Sequence, residues 1–183
     1  MEIAEIYRDL PILETERLIL RKVTQGDLGD MNEYGMDPEV AKSVMWNQHG
    51  SLADTQDFMD FVLKRYADHD VAPWGIEYKE NGKMIGTIDF VWWKPSHRTA
   101  EIGYTLNRAY WGKGLMTEAS RQLISFGFEK MKLVRIQAVC FSDNIGSARV
   151  MEKSGLTYEG TLRKSMFIKD EHRDLKIYSI IRE

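Results

Sequence analysis

Cysteine is almost absent from this sequence. Cys140 stands alone in 183 residues, so neither an internal disulfide nor a multi-cysteine metal site can form. Proline is scarce, at 4 residues, and no Pro/Gly-rich linker or low-complexity tract divides the chain. One domain over residues 1–183, with a sizeable core, is the expectation for this length. Basic excess is missing too: 25 Lys and Arg face 28 Asp and Glu, for a net charge of −3. That balance lacks the cations needed to neutralise many phosphates, which argues against broad nucleic-acid binding. It suits a cationic or amine-bearing partner instead. No apolar run approaches the roughly 18 residues of a membrane span. The opening MEIAEIYRDL is too acidic for a secretory signal. A cytoplasmic enzyme or binding domain is therefore expected. The 4 histidines are scattered along the chain, and no metal site is expected.

What is present is a series of strand and helix signals. RLILRKV (17–23) alternates and reads as a first strand. Thr24 can cap a short helix, and Asp37 before Pro38 can cap another. SLAD (51–54) opens a longer helix with Phe58, Phe61, Val62 and Tyr66 on one stripe. PWGIEYK and KMIGTIDFVWW flank Glu80-Asn81-Gly82, which supplies positive-φ residues for a hairpin. KPSHR (94–98) is a loop, and TAEIGYTL (99–106) is a third strand of this meander. In that strand Ile102, Tyr104 and Leu106 share one face, and Glu101, Gly103 and Thr105 the other.

A helix follows from about Leu115 to Met131. LVRIQAVCF (133–141) then reads as a strand with Val134, Ile136, Ala138 and Cys140 on one face. DNIGSARVMEKSG (143–155) is a short helix ended by Gly155. Two closing strands complete a mixed α/β (α+β) domain. The helical crossover from Leu106 to Leu133 makes those two strands parallel neighbours.

NRAYWGKGLM (107–116) sits between a strand and a helix. Glycine there strips the backbone bare, and the helix start adds unpaired N–H groups and a positive dipole end. Such a place holds phosphate well. The Walker A spacing is absent and the Rossmann glycine set is incomplete. Spacing alone leaves a plain turn and a phosphate seat both open.

TAEIGYTLNRAYWGKGLMTEA (99–119) resembles the acetyl-CoA-binding motif of the GNAT N-acetyltransferases. ETERLILRKV (14–23) resembles their opening strand. DNIGSARVMEKSGLTYEG (143–160) and the pair Asp174 and Tyr178 resemble their closing segments. The resemblance covers residues 14–183 and points to the branch that includes RimJ and RimL, ribosomal-protein N-terminal acetyltransferases. It implies a single GNAT-like domain. Its mixed, strongly twisted sheet would have about six or seven strands, with about four flanking helices. It also implies acetyl-CoA as cosubstrate and a primary amine as acceptor, first of all a protein N-terminal α-amine. A polyamine, an amino acid or an antibiotic remains open as acceptor. So does a non-catalytic acyl-CoA-binding module on the same fold.

The resemblance also carries roles. The N–H groups of Trp111, Gly112, Lys113 and Gly114, with Leu115 opening the helix, are expected to meet the pyrophosphate. Ala109 stands where the family has Arg or Gln, and Arg108 lies one residue early. Leu106 is expected to offer its N–H to the thioester carbonyl, and Asn144 to hold the pantetheine arm or cap its own helix. Glu101 is the expected base, against a solvated or Arg-paired glutamate. Ser147 is the expected proton donor to sulfur, against a serine bonded to its own backbone. Tyr104 shares a face with Ile102 and Leu106 and is expected to pack in the core, against a general acid, and Cys140 to be a buried, inert thiol, against a nucleophile. Trp46, Trp92 and Trp93 could wall an acceptor site, fill the core or meet a second copy in a homodimer. His97 is expected in a solvated loop.

Overall fold

The structure, a computed structural model, describes residues 2–182. The chain opens with α1 (Ile3–Tyr7), β1 (Leu13–Glu14) and β2 (Leu18–Lys22). Next come α2 (Leu28–Gly35), α3 (Pro38–Lys42) and α4 (Leu52–Ala67). A meander follows: β3 (Trp74–Tyr78), β4 (Lys83–Lys94) and β5 (Thr99–Leu106). The remainder is α5 (Leu115–Glu129), β6 (Arg135–Phe141), α6 (Ile145–Lys153), β7 (Thr157–Ile168) and β8 (Glu171–Ile181). The strands form one mixed sheet of eight, ordered β1-β2-β3-β4-β5-β6-β8-β7. The strand beyond the expected seven is the two-residue β1, too short to leave an alternation signal.

Local chemistry explains the starts. Thr24 and Asp27 form a reciprocal capping box ahead of α2. Asp37 accepts from the Glu39 N–H, with Pro38 in the first turn of α3. Ser51 and Asp54 form a second capping box at α4. The buried stripe of α4 is Thr55, Met59, Val62 and Tyr66. Phe61 was expected on that stripe but is 54% exposed. It lies five residues before Tyr66, off the helical repeat, whereas Val62 and Met59 lie four and seven residues back.

Helix α5 covers one face of the sheet. Phe126 meets Trp74 edge-on at 5.9 Å. Gly127 lets the helix close in: a Cβ there would lie 2.9 Å from Ile136 and 3.1 Å from Leu133 and Phe90. By register, Trp74, Ile88 and Tyr104 share this face. Arg21 lies on the other face and binds Asp27, just before α2. Helix α2 packs on β4, and α4 packs on α2.

Two departures from a regular sheet create the site. First, β5 and β6 are parallel, as expected, but pair only at Thr99–Arg135, Ala100–Ile136 and Glu101–Gln137. Beyond that point β5 stays with β4 up to Leu106, and β6 stays with β8 up to Phe141. The sheet therefore splits into two halves joined at Glu101 and Gln137. Second, the β4–β5 register slips between Phe90 and Trp92. That bulge turns Val91 and Trp92, two consecutive side chains, toward the face that carries Glu101.

Candidate active site

The glycine turn closes the mouth of the split. Asn107 accepts from the Ala109 N–H at 3.0 Å and donates to Glu33 at 2.9 Å, which fixes the exit from β5. Gly112 and Gly114 have φ of 73° and 76°, left-handed values that a Cβ disfavours. Among the described residues, the N–H groups of Gly112, Lys113, Gly114 and Leu115 have no hydrogen-bond acceptor. They gather at the start of α5, where the helix dipole adds its positive end. Trp111 corrects the sequence expectation. Its N–H closes back onto the Arg108 carbonyl at 3.1 Å and is not free. Its indole N–H instead donates to the Leu106 carbonyl at 2.8 Å.

Arg17 anchors the turn from β2's leading edge. Its guanidinium donates to the Lys113 carbonyl at 3.0 Å and to Glu118 at 2.7 Å. Glu118 also accepts from the Thr15 hydroxyl and the Arg17 N–H. Burial alone would raise the Glu118 carboxyl, but these donors outweigh it and hold its pKa below the ordinary range. A groove of about 590 Å³ starts at Gly114 and runs past Thr117 and Arg121 to Lys153. Sequence reading missed Arg17 as a site residue, because nothing local links it to a turn nearly a hundred positions away.

Leu106 lies where β5 leaves the ladder. The Asn107 N–H donates to Ile85 in β4 at 2.8 Å. Antiparallel alternation then turns the Leu106 N–H away from β4, into the split. Its carbonyl is taken by Trp111, so the peptide is held in orientation.

The two faces of β5 carry different chemistry. On the α5 side, the Tyr104 hydroxyl lies 2.9 Å from Ser147 Oγ and 3.2 Å from the Ser147 carbonyl. Burial pushes the Tyr104 phenol up, so it stays protonated at neutral pH. Its ring packs on the core, as expected, but the hydroxyl reaches Ser147. Asn144 accepts from the Ser147 N–H at 3.0 Å and donates to the Ser43 carbonyl at 3.3 Å. Its amide thus caps α6 and ties the loop after α3 in place; both of its ends already have protein partners. Cys140 is buried beside Ser147, and burial pushes its thiol up, which keeps it an unreactive thiol.

On the opposite face, Glu101 is half-buried and accepts from Gln137 at 2.7 Å, across the last parallel pair. Trp92 is its cross-strand partner, half-buried, with the Lys94 ammonium 4.9 Å from its ring. The three tryptophans separate: Trp93 is core at 5% exposed. Trp46 meets His49 in the loop before α4, with the rings tilted and 5.2 Å apart. Only Trp92 stands against Glu101. His97 lies exposed in the 95–97 turn. Among the described residues, no cluster of three potential metal ligands forms, and no helix is long and apolar enough to cross a membrane.

Bare amides at a helix start thus lead into a split with a carboxylate on one face and hydroxyls on the other. Residues 17–157 match the acetyltransferase (GNAT) domain, and the chain belongs to that family. The uncharacterized N-acetyltransferase YoaA of Bacillus subtilis (strain 168) is 34% identical over 172 residues, 94% of this chain and 97% of its own. The ribosomal-protein-serine acetyltransferase of Escherichia coli (strain K12) is 34% identical over 104 residues, 57% of this chain and 58% of its own. The crystal structure of a GNAT-family acetyltransferase from Bacillus anthracis superposes with a TM-score of 0.83 at 31% identity. It covers 93% of this chain and 98% of that one.

Proposed function

We propose that the chain acetylates a protein N-terminal α-amine with acetyl-CoA as donor. One observation carries the reading. The β5–β6 split has Glu101 at its vertex on one face and the Ser147–Tyr104 hydroxyl pair on the other. The cosubstrate supplies an activated acyl thioester. The chain must then bind it, remove a proton from the amine, and return one to sulfur.

Binding falls to the unpaired N–H groups of Gly112, Lys113, Gly114 and Leu115, which suit a pyrophosphate. The groove past Arg121 and Lys153 offers room and cations for the nucleotide end. The Leu106 N–H faces the split and can stabilise charge that develops on the carbonyl oxygen. Glu101 stands on the acceptor side and takes the ammonium proton, directly or through one water. Ser147 hands a proton to the departing sulfur, and Tyr104 orders that hydroxyl from 2.9 Å. A protein acceptor is favoured by the ribosomal-protein-serine relative among the chain's homologues.

The test is thiol release from acetyl-CoA with unblocked peptides, polyamines, amino acids and aminoglycosides, with products read by mass spectrometry. Peptides acetylated at the α-amine are the expected result. Turnover of small amines alone would overturn the acceptor class. Acetyl-CoA binding without thiol release for any amine would overturn the enzyme reading. Glu101→Gln should lower kcat about 100-fold or more; an unchanged rate at every pH would remove Glu101 from the base role.

A further inference from the structure

A second carboxylate on the acceptor side has no assigned role. Asp89 lies on β4 opposite Gly103, on the face that carries Glu101. Its side chain leans over Gly103: a Cβ there would lie 3.3 Å from Asp89 Oδ1 and 2.6 Å from Val91. The missing side chain at 103 is therefore what leaves room for the carboxylate beside the split. Asp89 and Glu101 are diagonal neighbours across the β4–β5 ladder, on the order of 7 Å apart at Cβ. Trp92, thrown onto the same face by the bulge, walls the space beside them.

Asp89 has no hydrogen-bond donor and no ion pair among the described residues, although it is half-buried. The groups that face it are accounted for elsewhere. Arg65 on α4 is the cation whose charge reaches it, yet Arg65 donates to the Val71 carbonyl at 2.7 Å and pairs with Asp70 at 3.3 Å. Tyr66 on α4 is engaged with the Val23 N–H and the Pro73 carbonyl. Tyr7 on α1 is a buried phenol that feels the Asp89 charge and stays protonated. A half-buried carboxylate without a protein partner is a costly feature unless something else supplies the cation.

We propose that Asp89 receives the acceptor's ammonium group, holding it by a charge-assisted hydrogen bond between the Trp92 wall and Glu101. This rests on the amine-acetylation reading above and adds its acceptor-binding residue. Asp89 positions the nitrogen. One N–H bond then breaks, its proton passes to a Glu101 carboxylate oxygen, and the electron pair remains on nitrogen for attack. Burial raises the free Asp89 carboxyl to about 7, with Arg65 offsetting part of the rise. An ammonium bound there favours the ionised form and lowers that value.

The experiment follows the Asp89 carboxyl carbon by NMR through a pH titration of the CoA-loaded enzyme. It is run alone, with propylammonium, and with an unblocked Ser-Ala-Ala peptide amide. The expected midpoint near 7 without amine falls by about one unit or more with amine. In steady state, Asp89→Asn raises the acceptor KM about tenfold or more and leaves the acetyl-CoA KM within about twofold. It also removes an acid limb near pH 7 from kcat/KM for the amine. A midpoint that neither amine moves overturns the proposal, as does an unchanged acceptor KM in Asp89→Asn. If propylammonium moves the midpoint and the peptide does not, the ammonium site stands and the protein-terminus acceptor falls. The NMR arm uses the unaltered chain, so poor folding of the variant cannot hide the answer.

Discussion

Replacing Gly112 by alanine separates backbone from charge in the glycine turn. Gly112 has φ of 73°, and nothing lies within 4 Å of where its Cβ would stand. Alanine therefore meets no obstacle, and its effect runs through the backbone alone. Holding an L residue in the left-handed region costs about 1–2 kcal/mol. In a chain of this size that lowers Tm by about 2–8 °C. If the turn relieves the strain by leaving that region, the amides of Gly112 and Lys113 swing off their common target. One hydrogen bond to a charged group contributes about 1.5–3 kcal/mol. Losing one such bond raises the acetyl-CoA KM about 10- to 150-fold. Lys113 gives the contrast, because its side chain is exposed with the ammonium 5.0 Å from the Tyr110 ring. An exposed charge contributes about 0–1 kcal/mol, so Lys113→Ala should change KM by less than about fivefold. The assay is thiol release at saturating acceptor and varied acetyl-CoA, with melting curves alongside. If Lys113→Ala raised KM as much as Gly112→Ala, the lysine charge would hold the cosubstrate and the backbone reasoning would fail.

Ser147→Ala should cut kcat about 100-fold and leave the acetyl-CoA KM nearly unchanged, with Tyr104→Phe giving a smaller loss in the same parameter; losses confined to KM would remove both from proton delivery. At Gly86, opposite Leu106, an added Cβ would lie 2.1 Å from the Thr105 carbonyl oxygen. Gly86→Ala should therefore destabilise by about 1–3 kcal/mol or more and weaken acetyl-CoA binding by shifting Leu106; unchanged melting and KM would show that β5 yields freely there. Glu159 accepts both arms of Arg135 at 2.7 and 2.6 Å and the Ser179 hydroxyl at 2.5 Å. The Arg135 and Ser179 hydrogen bonds push its carboxyl down to about 2. A depressed carboxyl stabilises the fold above its unfolded value of about 4.3 and loses that contribution as pH falls toward 2. Because the pair is partly exposed, Glu159→Gln should cost about 1 kcal/mol or less at pH 7. That difference should vanish in melts near pH 2; a gap that persisted there would mean packing, not charge, was lost.

Local patterns carried much of the fold. Alternation marked β2, β5 and β6 apart from end residues, the Glu80-Asn81-Gly82 turn marked β3 and β4, and helix caps marked α2, α3, α4 and α6, because these signals lie within a few residues of one another. The glycine turn was legible for the same reason, as were the opposite faces of Glu101 and Tyr104 on one strand. Gly112 and Gly114 need no distant partner to set their φ. Only the tertiary structure decided that β5 and β6 part after Glu101, since that depends on which half of the sheet each strand follows. It also decided that Trp111 serves through its indole, that Tyr104 meets Ser147 across 43 positions, and that Arg17 clamps the turn. Asp89 was silent in the sequence. A carboxylate in a strand says nothing until the bulge beside it, the bare Gly103 across from it and the absence of a partner are set in space. Periodicity fixes what a residue faces along its own element, while a site is made by elements that meet, and their meeting depends on contacts far apart in the chain.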